Sequence, residues 1–180
     1  MKKKYKSELS RSMKMLARNK NTIFIGQSVK YSGNAIFNTL KDIPKYKKIE
    51  LPVFEDVQMG MSIGLALNGY LPISCFPRFD FLVIAFNQMV NHLDKIQKMS
   101  DGQFKPKIII RTSVGSKKPL DGGPQHTQNY NNIFKSILTE IEVIMLNDPK
   151  KIYNVYKNCI NKKNKKSYLI IEHGDFYNDR

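Results

Sequence analysis

Apolar residues along the chain fall into two patterns, short unbroken runs and longer stretches in which they recur every three or four positions. Leu9, Met13, Leu16 and Ala17 stand at i, i+4, i+7 and i+8, which predicts an amphipathic helix over Tyr5 to Asn19. Thr22 to Gly26 reads as a short buried strand. Gln27 to Asp42 has Ser, Gly and Asn early and apolar residues late, a loop leading into a weak helix. Ile49 to Val53 predicts a second strand, which delivers Glu55 to the start of a helix. Tyr70 to Phe76 predicts a third. Phe79 to Met99 carries the clearest helical stripe, formed by Leu82, Val83, Phe86, Met89, Val90, Leu93 and Ile96. Lys107 to Thr112, with three consecutive isoleucines, reads as a strand covered on both faces. After the Gly/Lys/Pro-rich loop Ser113 to Pro124 come a helix (Asn129 to Leu138), a strand (Ile141 to Leu146), a helix (Pro149 to Asn161) and a last strand (Tyr168 to Glu172). Strands alternating with helices predict an α/β fold, a mostly parallel sheet with helices on both faces. No repeat or linker interrupts the pattern, so residues 1–180 read as one domain.

Composition changes this picture in one respect. The hydrophobic fraction of 41% is ordinary, but the formal charge is +15. Such a charge is the usual footprint of a nucleic-acid binder. The lysines, however, gather at Met1 to Lys6, Lys41 to Lys48 and Lys150 to Lys166, runs that read as solvated faces and helix ends. No nucleic-acid partner is therefore expected, and a smaller reading has some lysines meeting an acidic partner subunit. The opening Met-Lys-Lys-Lys is followed by charges rather than an apolar segment, and no run reaches membrane-spanning length. Cys75 and Cys159 have no metal-ligand spacing and make no disulfide framework. These features predict a cytoplasmic chain with free thiols and no metal ligands of its own.

Candidate chemistry centres on few residues. Glu55 opens a helix, where the dipole and free N–H groups favour an acid, and from position alone it reads as a dipole-complementing residue. Gly60 and Gly64 lie one turn apart on one face, leaving room for another backbone or a ligand. Asp80 reads as the N-cap of the long helix. His126 follows a Gly-rich loop of the kind that carries ligand contacts outside the carboxyl ends of parallel strands. His92 and His173 default to structural roles.

Taken in order, Glu55 with Gly60 and Gly64, Asn68-Gly69-Tyr70-Leu71-Pro72-Ile73, Phe79-Asp80-Phe81, Asn87-Gln88-Met89-Val90-Asn91, Met99-Ser100-Asp101-Gly102, Ile110-Arg111-Thr112, Gly122-Gly123-Pro124-Gln125-His126-Thr127-Gln128 and Ile171-Glu172-His173 form one specific series. The series resembles the pyrimidine-binding domain of thiamine diphosphate enzymes, most closely the beta subunit of the pyruvate and branched-chain 2-oxo acid dehydrogenase decarboxylating components. The resemblance implies thiamine diphosphate as cofactor. In it Glu55 hydrogen-bonds N1′ of the aminopyrimidine and promotes the imino tautomer, work suited to a carboxyl in apolar surroundings such as Phe54 and Met59 would supply. Phe81 matches the aromatic that lies against the pyrimidine, with Phe79 as a second wall. His126 matches the active-site histidine that contacts substrate or relays a proton.

The same resemblance implies missing parts. Related enzymes hold the diphosphate and Mg²⁺ on a separate domain bearing Gly-Asp-Gly and a later Asn. Here Gly174-Asp175 is followed by Phe176 near the end of the sequence, so the motif is lacking. A partner chain carrying that domain is expected, in a heterodimer or heterotetramer acting on a 2-oxo acid or a ketose. The C-terminal domain that follows this one in transketolases and dehydrogenase beta subunits is also lacking. Transketolase-like, decarboxylase or carboligase, and non-catalytic relatives stay open as alternatives. Two departures stand out: Gln27 where the family usually has an acid, and Lys117-Lys118 in a loop that is normally small and Gly-rich.

Overall fold

The computed structural model describes residues 4–118 and 120–178, so the lysines at positions 2 and 3 of the first basic run lie outside the described residues. Six strands form one sheet: β1 (Thr22–Gly26), β2 (Lys48–Glu50), β3 (Leu71–Cys75), β4 (Ile109–Val114), β5 (Ile141–Met145) and β6 (Ser167–His173). They lie in the order β2-β1-β3-β4-β6-β5, and every pairing is parallel. Alternation along each strand divides the side chains between two cores. Ile109, Tyr168 and Ile170 face helices α1 (Tyr5–Ala17), α2 (Ala35–Leu40) and α7 (Pro149–Cys159). Ile108, Ile110, Leu169 and Ile171 face α3 (Glu55–Leu67), the helical segment opening with α4 (Phe79–Leu82) and closing with α5 (Ile96–Met99), and α6 (Asn131–Ile137). Burial on both sides is why β3, β4 and β6 read as nearly continuous apolar runs.

Three expectations needed correction. The second strand ends at Glu50 rather than Val53, because Pro52 has no N–H to continue the ladder. The long helix is interrupted by a 3-10 turn at Val83–Ala85 and a π-helical turn at Gln88–Leu93. A 3-10 turn advances each residue further around the axis than an α-helix does, which rotates Val83 off the expected stripe to 42% exposure. Finally, Lys47 and Lys48 are buried rather than solvated. Lys47 Nζ donates to the carbonyls of Asn19, Lys20 and Thr22, and Lys48 Nζ donates to that of Leu40. Each ammonium satisfies carbonyls at an element's end. Cys75 and Cys159 are free and buried, and burial pushes their thiols up to about 11 and about 12.

The π-helical turn ends at Asp94, which is fully buried. Its carboxylate accepts the backbone N–H groups of Thr139, Glu140 and Ile141, the Thr139 hydroxyl and Lys95 Nζ. The turn before β5 is thereby pinned to the long helical segment. Burial opposes the charge, but the bonds from Lys95, the Glu140 amide and Thr139 prevail and hold the carboxyl below its ordinary range. Its stabilisation is complete above the unfolded value, about 3.9, and is lost as pH falls through the lower folded value. Asp94→Asn is therefore expected to cost about 2 kcal/mol at neutral pH. In urea melts across pH, the gap between the variant and the parent should close on the acid limb.

Candidate functional site

Strand order places a topological switch between β1 and β3. From β1 the chain crosses outward to β2, and from β3 it crosses the other way to β4. Loops leaving the carboxyl ends at such a point diverge and leave a crevice in which ligands bind. A cavity of about 270 Å³ opens there. Gln27 and Ser28 after β1, Arg78 and Phe81 after β3, Ser116 and His126 after β4, and Gly174 after β6 line it. Two glycines allow the strand ends to converge. A Cβ on Gly26 would stand 2.3 Å from the carbonyl oxygen of Cys75, and one on Gly174 would stand 2.9 Å from the Gly115 carbonyl carbon.

The loops are tied by named groups. Glu50, at the end of β2, accepts the successive amides of Ser28, Val29 and Lys30 at 2.5, 2.9 and 2.6 Å, which sets the wall after β1. Arg78 Nη1 donates to the carbonyls of Gly115 (2.7 Å) and His126 (3.2 Å), joining the loop after β3 to the two arms of the loop after β4. Asp80 is not an N-cap; its Oδ1 accepts the Gln128 amide and holds the histidine's loop against α4. Asp175 accepts the amides of Lys117 and Lys118, so that departure from a small, Gly-rich loop is anchored to the C-terminal 3-10 turn.

Within this frame the expected residues part company. The rings of Phe81 and His126 meet edge to face, centroids 5.3 Å apart, on the cavity wall. His126 Nδ1 is buried without a hydrogen-bond partner among the described residues. Phe79, two residues before Phe81, is fully buried against Tyr130 and Phe134 and does not line the cavity. Its ring belongs to the core beneath the site. His92 is exposed on the helical segment, and His173 Nε2 meets Asn147 Oδ1 at 2.7 Å.

Glu55 stands at the same carboxyl edge but outside the cavity lining, on the first turn of α3. It is 7% exposed, and its carboxylate has no hydrogen bond or ion pair among the described residues. The turn is fixed by Gln58, whose buried amide donates to Ser74 Oγ and the Cys75 carbonyl at 3.1 Å each. Met59 is buried beside Glu55, but Phe54 points outward at 61% exposure and gives it no apolar cover. Val57 and Met61 continue that exposed face. Gly64 has nothing within 4 Å of a notional Cβ, and Gly60 meets only Gln88 at 3.9 Å. No element among the described residues makes the close approach that these glycines permit. Gln58→Leu is expected to leave Ser74 and Cys75 groups short of a donor and to cost about 1–3 kcal/mol, read by chemical denaturation.

The family model described as "Transketolase, pyrimidine binding domain" matches residues 6–178. The chain belongs to this family. Relatives of the pyrimidine-binding family include the pyruvate dehydrogenase E1 component subunit beta of Cyanidium caldarium, 29% identical over 91% of this chain and 49% of that protein. The subunit of the same name from Gracilaria tenuistipitata var. liui is 30% identical over 89% and 49%. A chloroplastic beta-3 form from Arabidopsis thaliana is 30% identical over 72% and 31%. The chain thus spans about half the length of the first two. Among solved structures, one named "Split gene transketolase, inactive beta4 tetramer" aligns over 97% of this chain and 52% of that one, with TM-score 0.71 and 14% identity. That likeness shows that the pyrimidine-binding domain here has a transketolase-type α/β fold. No helix among the described residues is long and apolar enough to cross a membrane.

Proposed function

We propose that this chain is the pyrimidine-binding subunit of a split thiamine diphosphate-dependent enzyme of the 2-oxo acid dehydrogenase beta-subunit type. A second polypeptide carrying the diphosphate- and Mg²⁺-binding domain completes it, as a heterodimer or heterotetramer in the cytoplasm. The observation that carries this reading is Glu55, a nearly buried residue whose carboxylate has no hydrogen bond or ion pair among the described residues, on a helix whose Phe54, Val57 and Met61 form an uncovered apolar face. A half-site meant to be closed by another chain has these features. Phe54, Val57 and Met61, with the open glycines behind them, form the face on which the second chain would seat.

The residues present fit the cofactor. Glu55 would hold the aminopyrimidine and exchange a proton with its ring nitrogen, Phe81 would lie against the ring, and His126 would present its imidazole to substrate. Phe79 supports Phe81 from the core beneath it. When bound, thiamine diphosphate supplies the carbon nucleophile and the electron sink, and the protein supplies orientation and proton control. Arg78 is the one permanent cation among the described cavity-lining residues, and no carboxylate stands among them. That charge balance supports an anionic substrate such as a 2-oxo acid, and the dehydrogenase names of the relatives favour it over a ketose.

The test is to isolate the complex through a tag on this chain and measure pyruvate decarboxylation with an artificial electron acceptor. Activity that requires both polypeptides is expected. A fully assembled complex inert toward 2-oxo acids and ketoses alike would leave a non-catalytic relative as the answer.

A further inference from the structure

The cavity at the strand switch holds more hydrogen-bond donors than the chain around it uses. Both N–H groups of Arg78 Nη1 are engaged, by the Gly115 carbonyl at 2.7 Å and the His126 carbonyl at 3.2 Å. That leaves Nε and Nη2, the side-on edge of the guanidinium, with no hydrogen bond or ion pair among the described residues. Such an edge is a rigid fork that fits two oxygens of one oxyanion, and because the guanidinium is planar, fixing Nη1 also fixes the direction of the fork. The carboxylates that border these loops are turned elsewhere. Asp80 accepts the Gln128 amide, Asp175 accepts those of Lys117 and Lys118, and neither lines the cavity.

A second donor comes from the loop after β1. Ser28 stands at φ 53°, a left-handed conformation that a residue with a side chain adopts only at a cost. Glu50 holds it there by accepting its amide and the next two. Ser28 lines the cavity, and its hydroxyl has no hydrogen bond among the described residues. The hydroxyl has its place because position 33 is glycine, where a Cβ would stand 2.6 Å from Ser28 Oγ. Asn34, also in the lining, accepts the Phe37 amide with its side-chain carbonyl, so its NH2 is the group that remains. A ligand that meets these groups must accept rather than donate, as an ionised oxyanion does. The reaction class narrows which oxyanion. On the split-enzyme reading the carboxylate of a 2-oxo acid departs as neutral CO2, its bonding electron pair remaining with the rest of the substrate. A cation bonded to that carboxylate would hold the ground state more tightly than the transition state and slow the step. The fork therefore suits an anionic group that survives the reaction. At about 270 Å³ the cavity falls below the about 300–1,000 Å³ of pockets for drug-sized ligands, so the substrate is small.

We propose that Arg78, with Ser28, grips a second oxyanionic group at the far end of a small 2-oxo acid and so determines a preference for dianionic substrates over pyruvate. The reaction rests on the split-enzyme reading, whereas the anion site belongs to this chain and is testable without a partner. In the full chain alone, titration with 2-oxoglutarate should move the Arg78 Nε–H signal and the amides of residues 27–34 together in proton–nitrogen NMR. Arg78→Gln should weaken the apparent affinity about tenfold or more, the loss of a charged hydrogen bond. Ser28→Ala, which removes no hydrogen bond among the described residues, should weaken it about two- to tenfold, the loss of a neutral one. In the complex isolated through this chain, kcat/KM for 2-oxoglutarate or for 3-phosphohydroxypyruvate should exceed that for pyruvate, and Arg78→Gln should cut this ratio about tenfold or more. The ratio is the readout because Arg78 also ties two loops, whose loosening slows all substrates alike. Preference for the first acid identifies a carboxylate and preference for the second a phosphate. Shifts at Arg78 beside a complex inert toward every acid would overturn the enzymatic reading and leave the anion site standing. No shift at Arg78, or an active complex that prefers pyruvate, would overturn the proposal.

Discussion

Glu172→Ala is expected to be among the most destabilising single changes in the chain, costing about 3–5 kcal/mol. Against a total stability of about 5–15 kcal/mol for a domain, that loss leaves little folded protein at elevated temperature. The reason is a buried polar cluster between the sheet and α2, α7 and the C-terminal 3-10 turn. Arg111 on β4 meets Glu172 on β6 through two bonds, at 2.7 and 2.9 Å, and both side chains are fully buried. Thr39 accepts from the same guanidinium, while the hydroxyls of Tyr156 and Tyr177 donate to the carboxylate. Removing Glu172 leaves a guanidinium without a counter-charge and strands two phenols. Burial alone would lower the arginine's pKa, yet the adjoining carboxylate holds it well above the ordinary value, so Arg111 keeps its charge in the fold. Tyr156→Phe, which removes one donor and no charge, should cost only about 1.5–3 kcal/mol. Equal losses in the two variants, measured by urea denaturation, would show that the charge is not what makes the cluster matter.

The second large effect concerns chemistry. In the assembled complex, Glu55→Gln is expected to lower the decarboxylation rate by about 10²–10⁴, the range for loss of a positioned proton-exchanging group. The chain's own stability should change little, because the Glu55 carboxylate has no partner among the described residues to lose. That separation is the informative part: unchanged melting of the isolated chain together with collapsed activity of the complex. Retained activity in the variant would sink the assigned role for Glu55.

How much of this was legible in the sequence depended on the range of the interaction. Thr22–Gly26 was read to its exact ends as β1, and Glu55 was placed at the first residue of α3, since apolar runs and a helix-opening acid are local signals. The two-faced parallel sheet followed from the same local alternation. What escaped was set by distant partners. Lys47 and Lys48 sit in a lysine-rich run and are identical in kind to solvated neighbours; only the carbonyls of Asn19 to Thr22 and Leu40 draw them inward. Phe79 and Phe81 flank one aspartate, and nothing in their spacing tells which ring joins Phe134 in the core and which meets His126. Arg78 and Glu50 organise the cavity loops but were passed over. Little in the sequence marked them: Glu50 stood second in the expected strand Ile49 to Val53, Arg78 lay two residues beyond the expected strand Tyr70 to Phe76, and the switch in strand order that brings their loops together belongs to the folded sheet. Arg111 and Glu172 were noticed only as parts of a resemblance. A charge within an apolar strand run calls for a buried counter-charge, but that Arg111 and Glu172 answer each other follows from the pairing of β4 with β6, which belongs to the folded sheet.

The central claim is that this chain supplies half of a cofactor site whose other half lies on a second polypeptide. Its most direct test is the thiamine diphosphate content of whatever co-purifies, undissociated, with the tagged chain from its native cell. The account predicts a second polypeptide bearing Gly-Asp-Gly and a downstream Asn, with thiamine diphosphate bound in proportion to the complex. Recovery of this chain alone, or with a partner but no cofactor, would contradict it.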